Sequence, residues 1–263
     1  MNFIQAIILA IIEGITEFLP VSSTGHMILA SSIMKVKDPE FAKTFEIVIQ
    51  LGAILSVLVL YIKRFFTGIT IYTKLFVAFI PTAIVGLLVY KKIKLYLFNP
   101  YVVSVSLIVG GIILILLDKW SEEKKSENKN LEDINFLNAI KIGAIQCLSM
   151  IPGVSRSAAT IFGGIYSGFD RKQAAEFSFL LAIPTMFAAT GKDLWENRAL
   201  ITSENSQLLV LGGFVAFIVA LIAVKAFVSF LTKYGFKIFG YYRIILGIVF
   251  LIYALSVGLD MKP

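Results

Sequence analysis

Two long runs without a charged residue limit what this chain can fold into. Residues 95–117 contain no Asp, Glu, Lys or Arg, and neither do residues 205–224. An α-helix rises about 1.5 Å per residue, so each run is long enough to cross the roughly 30 Å hydrocarbon core of a bilayer. Backbone polar groups in lipid must be satisfied within the chain, and the alternating pattern of a membrane barrel is absent. The runs therefore predict an all-α, multi-pass membrane protein.

Composition agrees with a membrane protein. Hydrophobic residues make up 58% of the chain and the net charge is +7. In a membrane protein an excess of Lys and Arg usually lies in the loops and sets topology. We therefore expect the membrane as the partner of the basic residues, and no nucleic acid.

The chain divides into two apolar halves within one membrane domain, residues 1–263. Residues 118–135 carry six acidic residues and four lysines, which is typical of a solvated connector. They separate repeat 1, about 1–117, from repeat 2, about 136–257. The halves correspond at an offset of 133 residues, which aligns Glu13 with Gln146 and Ser22 with Ser155.

Each half contains five apolar segments. They are about 3–17, 20–34, 44–62, 74–90 and 95–117, then about 136–150, 155–168, 174–191, 205–231 and 240–257. The first two segments of each half are too short to cross comfortably and suit a re-entrant helix pair. Each half then keeps three transmembrane helices. An odd number places the halves in opposite orientations, which predicts an inverted-topology repeat with a site where the broken helices meet.

Pro20 and Pro152 mark the breaks in the two re-entrant pairs. Proline lacks a backbone donor and disfavours helix at the preceding residue. Hydroxyl residues follow both prolines: Ser22, Ser23 and Thr24 in the first half, Ser155 and Ser157 in the second. They are expected to cap the next helices, and a capped helix N-terminus is also a natural anion site.

Glu13 and Glu17 stand four residues apart in the apolar N-terminal segment, so on a helix they share one face. Two carboxylates there are costly unless they are paired, protonated or bound to a metal. Interfacial glutamates at a helix end are the simpler interpretation. Their position just before the Pro20 break favours function. The acids also argue against a cleavable signal peptide, whose core is uncharged.

His26 and Arg156 complete the candidate site. His26, the one histidine of the chain, lies three residues after Ser23, so it can act as a base toward that hydroxyl or attack phosphorus itself. Arg156 lies in the second turn, and its guanidinium donates in a fork that fits phosphate oxygens. The set predicts a diphosphate site with acids for a metal, a nucleophile, a base and a cationic clamp.

The two turns carry a family resemblance. Residues 13–26 read EGITEFLPVSSTGH and residues 152–160 read PGVSRSAAT. Over nearly its whole length the chain resembles the undecaprenyl-diphosphatase family, also called the bacitracin-resistance family. That family commonly has Gly where Ala158 stands, a small-for-small change.

The resemblance implies hydrolysis of C55 polyprenyl diphosphate to the monophosphate carrier lipid used in peptidoglycan synthesis, with resistance to bacitracin. It implies homodimers in the bacterial cytoplasmic membrane and a divalent cation, Mg²⁺ or Ca²⁺, near Glu13 and Glu17. The essential residues that it implies are Glu17, His26 and Arg156. It implies supporting roles for Glu13, Ser23, Ser155 and Thr160. The turn hydroxyls themselves add Ser22, Thr24 and Ser157 as candidate phosphate-binding residues.

The expected mechanism begins with the terminal phosphate held by Arg156, the turn amides and the metal. Ser23, activated by His26, attacks phosphorus, and water then releases phosphate. A phosphohistidine at His26 or a metal-activated water fits the same residues. The alternative function is a polyprenyl-phosphate flippase, since inverted repeats are a transporter architecture. A flippase would need only the arginine and turn amides, so the Glu, Ser and His set favours an enzyme.

Overall fold

A computed structural model describes residues 1–36, 39–66, 69–97, 99–122, 130–196, 198, 201–202 and 205–257. Within these residues the chain has no strand and forms ten α-helices, as the ten apolar segments predict. The helices are α1 (Phe3–Thr16), α2 (Ser23–Ile33), α3 (Pro39–Leu60), α4 (Thr70–Leu97), α5 (Pro100–Glu122), α6 (Phe136–Gln146), α7 (Arg156–Tyr166), α8 (Arg171–Glu196), α9 (Ser206–Tyr234) and α10 (Lys237–Val257). Short 3₁₀ segments occupy Ile62–Phe66, Leu131–Asp133 and Cys147–Met150.

Six of these helices, α3, α4, α5, α8, α9 and α10, are long and apolar enough to cross a membrane. The prediction of an all-α, multi-pass membrane protein is therefore confirmed. The other four are short: α1 has 14 residues, and α2, α6 and α7 have 11 each. At about 1.5 Å per residue, even α1 extends only about 21 Å.

The boundary between α4 and α5 differs from the prediction. The sequence segments end near residue 90 and begin again at 95, but α4 continues to Leu97 and α5 begins at Pro100. The Asn99 side chain caps α5 by accepting the Val102 N–H at 2.9 Å. Proline suits the first helical position, because its missing N–H would have no partner there. The charge-free run 95–117 thus crosses a helix break that hydropathy does not reveal.

The start of the predicted connector is also different. Residues 118–122 continue α5, and Asp118 is buried rather than solvated. Its carboxylate accepts the Phe236 N–H at 2.6 Å and pairs with Arg171 at 2.9 Å. The prediction of a solvated segment is wrong for Asp118, because this carboxylate joins the ends of α5, α8 and α10. Residues 123–129 of the connector lie outside the described residues.

Helices from the two halves interleave. The first helix of each half packs on the fourth helix of the other, α1 on α9 and α6 on α4, and α5 packs along α10. Gly143 of α6 lies against the Ala78 carbonyl of α4, where a Cβ would collide. Gly14 of α1 lies close to α9, where a Cβ would come within 2.8 Å of Val219 Cβ. This packing brings together the turns that precede α2 and α7.

Candidate active site

The turns before α2 and α7 have the same local structure. Ser22 has φ of 71° and its hydroxyl accepts the Gly25 N–H at 3.4 Å. Ser155 has φ of 67° and its hydroxyl accepts the Ala158 N–H at 3.2 Å. A positive φ in a residue other than glycine costs on the order of 1–3 kcal/mol and is kept where the surroundings enforce it. Both serines therefore cap a helix N-terminus, as their positions after the prolines predict.

Direct hydrogen bonds join the two turns. The Ser157 hydroxyl donates to the Leu19 carbonyl at 2.8 Å and also meets Ser155 Oγ at 3.1 Å. Arg243 of α10 donates to the Pro20 carbonyl at 3.1 Å and to the Gly153 carbonyl at 2.8 Å. The predicted meeting of the two Pro-containing turns is therefore present, and α10 holds it together.

A chain of three side chains crosses between the turns. The Ser23 hydroxyl donates to Glu17 Oε2 at 2.5 Å. Glu17 Oε1 accepts from Arg156 Nη2 at 3.1 Å. The ion pair is buried, with 7% of the glutamate side chain and 11% of the arginine side chain exposed. One carboxylate thus contacts both the candidate nucleophile and the candidate phosphate clamp.

The Arg156 guanidinium is bound by several neighbours, but its Nε–H has no partner among the described residues. Its Nη1 donates to the Ser178 carbonyl at 3.1 Å, and its guanidinium lies 5.6 Å from the centre of the Phe18 ring. Among the described residues, its Nε–H has no hydrogen-bond partner. A buried unpaired donor is costly, and an anionic ligand would satisfy it.

Thr160 contacts the backbone of Arg156 and the side chain of Ser178. Its hydroxyl contacts Ser178 Oγ at 2.6 Å and donates to the Arg156 carbonyl at 2.9 Å. The side chain is fully buried. Thr24, by contrast, is half-buried at the start of α2.

Glu13 lies on α1, one helical turn before Glu17, which caps the end of that helix. At 14 residues α1 is too short to span the membrane. Glu13 is fully buried, and among the described residues neither carboxylate oxygen has a hydrogen-bond partner. Burial first, and the Glu17 carboxylate second, raise the pKa of Glu13 well above the usual value for a glutamate. Such a group needs either a proton or a cation at neutral pH.

His26 has different partners from those predicted. Its Nδ1 lies 2.8 Å from the Ser22 carbonyl, and its Nε2 lies 2.6 Å from the Tyr242 hydroxyl. The Ser23 hydroxyl, which the sequence assigned to His26, donates to Glu17 instead. Within the described residues Ser23 and His26 form no hydrogen bond. The Glu17 carboxylate, and not the His26 imidazole, therefore accepts from the Ser23 hydroxyl.

Three contributors to the site were missed from the sequence: Arg243, Tyr242 and Ser178. Arg243 and Tyr242 lie in the last apolar segment, far from either motif. An arginine inside an apolar span is itself a reason to suspect a site, so Arg243 could have been found. Tyr242 and Ser178 carry no comparable signal, because their contacts are made only by tertiary packing.

Fold and site define a multi-pass helical membrane protein with a buried hydroxyl–carboxylate–guanidinium centre between two broken helix pairs. The chain belongs to the family described as Bacitracin resistance protein BacA, whose model matches residues 6–249. It is 56% identical over 255 residues to the undecaprenyl-diphosphatase of Flavobacterium psychrophilum, covering 96% of each chain. It is 53% identical to that of Wolinella succinogenes, covering 96% of this chain and 98% of the relative. With that of Bdellovibrio bacteriovorus the identity is 51% over 262 residues, covering 100% of this chain and 99% of the relative.

Proposed function

We propose that this chain is an undecaprenyl-diphosphatase, which removes the terminal phosphate of C55 polyprenyl diphosphate and leaves the monophosphate carrier lipid of peptidoglycan synthesis. The observation that carries the proposal is the bond from Ser23 to Glu17, whose other oxygen pairs with Arg156. A hydroxyl, a base and a phosphate-binding cation are therefore in direct contact. Relatives at 51–56% identity that carry this enzyme's name support the substrate.

The chemistry follows from these contacts. Ser23 Oγ attacks the terminal phosphorus while its proton passes to Glu17 Oε2. The bond between that phosphorus and the bridging oxygen breaks, and the polyprenyl monophosphate leaves. Glu17 releases that proton to solvent and is a carboxylate again. Water then attacks the phosphoserine and passes a proton to Glu17, which delivers it to Ser23 Oγ as the bond between this oxygen and phosphorus breaks, and inorganic phosphate leaves. Glu17 replaces His26 as the base in this scheme, because Glu17 is the group that Ser23 contacts.

Arg156 binds the phosphate that is transferred. Its unpartnered Nε–H and the Nη2 now on Glu17 form one edge of the guanidinium, the geometry that suits bidentate phosphate binding. Its other nitrogen stays on the Ser178 carbonyl, so the clamp keeps its position. Charge neutralisation of the transferring phosphoryl group supplies much of the acceleration in such reactions.

The carboxyl groups of Glu13 and Glu17 fit a divalent cation that is held jointly with substrate. Among the described residues no group of three or more His, Cys, Asp or Glu could hold a metal. Mg²⁺ commonly binds one or two carboxylates together with substrate phosphates and water, and Ca²⁺ takes carboxylate, carbonyl and water oxygens, so either ion suits these residues. A bound Mg²⁺ would neutralise diphosphate charge, and the unpartnered oxygens of Glu13 are its natural ligands.

An apolar groove beside the first turn supports a lipid substrate. It has a volume of about 450 Å³ and lies between α1, α9 and α10. Ile15 and Leu19 form its wall next to the turn, and Phe227 and Phe239 lie opposite. Part of a polyprenyl chain would bury apolar surface there while its diphosphate reaches the site.

We also propose the inverted repeat with its two re-entrant pairs. The paired Ser22 and Ser155 caps and the exchange of first helices between halves support it. Thr70 begins the fourth helix of the first half, and Thr202 precedes the fourth helix of the second. Cysteines at these positions should therefore react with impermeant reagents from opposite sides of the membrane. The background would be Cys147→Ala, and labelling from the same side would exclude an inverted arrangement. The homodimer and the bacterial cytoplasmic membrane stay predictions from the resemblance.

The decisive experiment uses purified chain with C55 diphosphate labelled in the terminal phosphate. Released phosphate is expected from the parent and from Ser32→Ala, a matched serine at the far end of α2. Ser23→Ala should release little. An acid-stable phosphoserine after rapid quenching supports Ser23, an acid-labile adduct supports His26, and no adduct supports direct attack by water. Reconstituted protein that moves polyprenyl phosphate between leaflets but releases no phosphate would establish the flippase instead.

A further inference from the structure

Two neighbouring residues of α10, Tyr242 and Arg243, contact the site. Arg243 is fully buried and donates to five backbone carbonyls, those of Pro20, Ser106, Leu107, Gly153 and Val154. Three of these belong to the two turns and two to α5. The backbone of α10 is therefore fixed relative to both turns at the position next to Tyr242.

Tyr242 makes a specific contact with His26. The hydroxyl lies 2.6 Å from His26 Nε2, and the two rings are nearly parallel, with 9° between their planes and 5.6 Å between their centres. The other ring nitrogen, Nδ1, lies 2.8 Å from the Ser22 carbonyl. Both nitrogens of the imidazole are thus engaged.

The chemistry of these partners fixes the tautomer. A carbonyl oxygen can only accept, so Nδ1 carries the proton. In the neutral ring Nε2 is then the acceptor, and the Tyr242 hydroxyl must donate to it. Ser22 is the residue held at positive φ immediately before Ser23. A line of contacts therefore runs from α10 through Tyr242 and His26 to the turn that aims the Ser23 hydroxyl.

We propose that Tyr242 is a positioning residue for the phosphatase reaction, acting through His26 to hold the Ser22 turn and with it Ser23. This rests on the proposed function for its effect on turnover. Its effect on the imidazole is independent of any activity. Tyr242 itself is 45% exposed, so removing its hydroxyl leaves the buried core unchanged.

The chain offers a matched control on the same pair of helices. Tyr253, three turns further along α10, places its hydroxyl 3.3 Å from Ser32 Oγ of α2. Tyr253→Phe therefore removes one α10–α2 hydroxyl contact, as Tyr242→Phe does, but leaves His26 untouched. A general loosening of α10 against α2 would affect both variants alike.

The first measurement is the nitrogen spectrum of the imidazole. His26 is the one histidine of the chain, so ¹⁵N-histidine labelling of protein purified without a polyhistidine tag gives a single ring. The expected result is one tautomer with Nδ1 protonated in the parent and in Tyr253→Phe. Tyr242→Phe should move the Nε2 resonance, because this nitrogen loses the hydroxyl that donates to it. A parent ring protonated at Nε2, or an unchanged spectrum in Tyr242→Phe, would overturn the proposal.

The second measurement is turnover of C55 diphosphate. Tyr242→Phe should lower kcat about tenfold, the order expected for one lost hydrogen bond, with KM within about twofold. Tyr253→Phe should match the parent. In the double variant with His26→Ala, loss of the hydroxyl should have no further effect, because its partner is already gone. Additive losses would overturn the proposal. A parent that hydrolyses no diphosphate would overturn the proposed function, while the nitrogen spectrum would still decide the tautomer.

Discussion

Replacing Arg243 with lysine tests whether the two turns depend on a guanidinium. The arginine donates to five carbonyls at 2.8–3.4 Å through three nitrogens. Among the described residues it forms no ion pair with a carboxylate. Lysine keeps the charge but has one nitrogen with three donors. At least two of the five carbonyls must therefore lose their partner.

The magnitude follows from that count. A hydrogen bond to a charged group contributes about 1.5–3 kcal/mol, so two lost bonds cost about 3–6 kcal/mol. In a protein of this size 1 kcal/mol shifts the midpoint by about 2–4 °C, so the expected fall in apparent Tm is about 6–24 °C. Turnover should fall as well, because Pro20 and Gly153 sit on the two turns that carry the site.

The assay is thermal stability of the detergent-solubilised chain, followed by size-exclusion chromatography, with phosphate release measured below the transition. Arg198→Lys is the matched control, since Arg198 is exposed and its hydrogen bond within the described residues is a local one, to the Trp195 carbonyl at 2.7 Å. A normal Tm and full turnover in Arg243→Lys would refute the reasoning. Arg243→Met removes the buried charge together with all five donors, so it should lower turnover at least as much as Arg243→Lys, because the carbonyls of both turns then lose the side chain that they share.

Three further predictions concern single contacts. Glu17→Gln should lower kcat by about 10²–10⁴-fold, the usual contribution of a general base, measured as phosphate release; activity within threefold of the parent would exclude Glu17 as the base. His26→Asn should retain more turnover than His26→Ala if the ring acts by donating to the Ser22 carbonyl, whereas equal loss in both would favour chemistry at the imidazole. Asp118→Asn should lower the apparent Tm, because it weakens the bond to Arg171. Turnover at low temperature should be normal, because Asp118 lies 12 residues, about 18 Å, along α5 from Ser106 at the site. Loss of turnover in well-folded Asp118→Asn would contradict this separation.

The architecture could largely be predicted from the sequence because lipid imposes simple rules. The lengths of the apolar segments predicted the long helices, and Pro20 and Pro152 predicted the breaks between the short ones. The α4–α5 boundary was missed because apolar residues continue across it, and only Asn99 and Pro100 mark the change. Asp118 was assigned to a solvated connector because its neighbours in sequence are charged, while its partner in space, Arg171, is 53 residues away.

The sequence predicted which residues belong to the site better than it predicted the contacts between them. Helical spacing correctly places Ser23 and His26 in the same turn of α2, and it suggests that they pair. Glu17 and Ser23 are separated by the Pro20 turn, whose course depends on a positive φ at Ser22, so periodicity says nothing about their distance. Tyr242, which contacts His26, comes from α10, and Ser178, which accepts from Arg156, comes from α8, so no local pattern could connect them.

The ion pair between Glu17 and Arg156 has a consequence for the order of events during turnover. Without substrate, the Arg156 guanidinium is already paired with the Glu17 carboxylate. An incoming phosphate must compete with a tethered carboxylate, whose effective concentration is at least on the order of millimolar. A diphosphate with its lipid chain brings enough additional contacts to win this competition, whereas free inorganic phosphate brings few. In the proposed mechanism, Glu17 returns to the guanidinium after the phosphoserine is hydrolysed and displaces the product, so we expect the pairing to favour rapid release over tight binding.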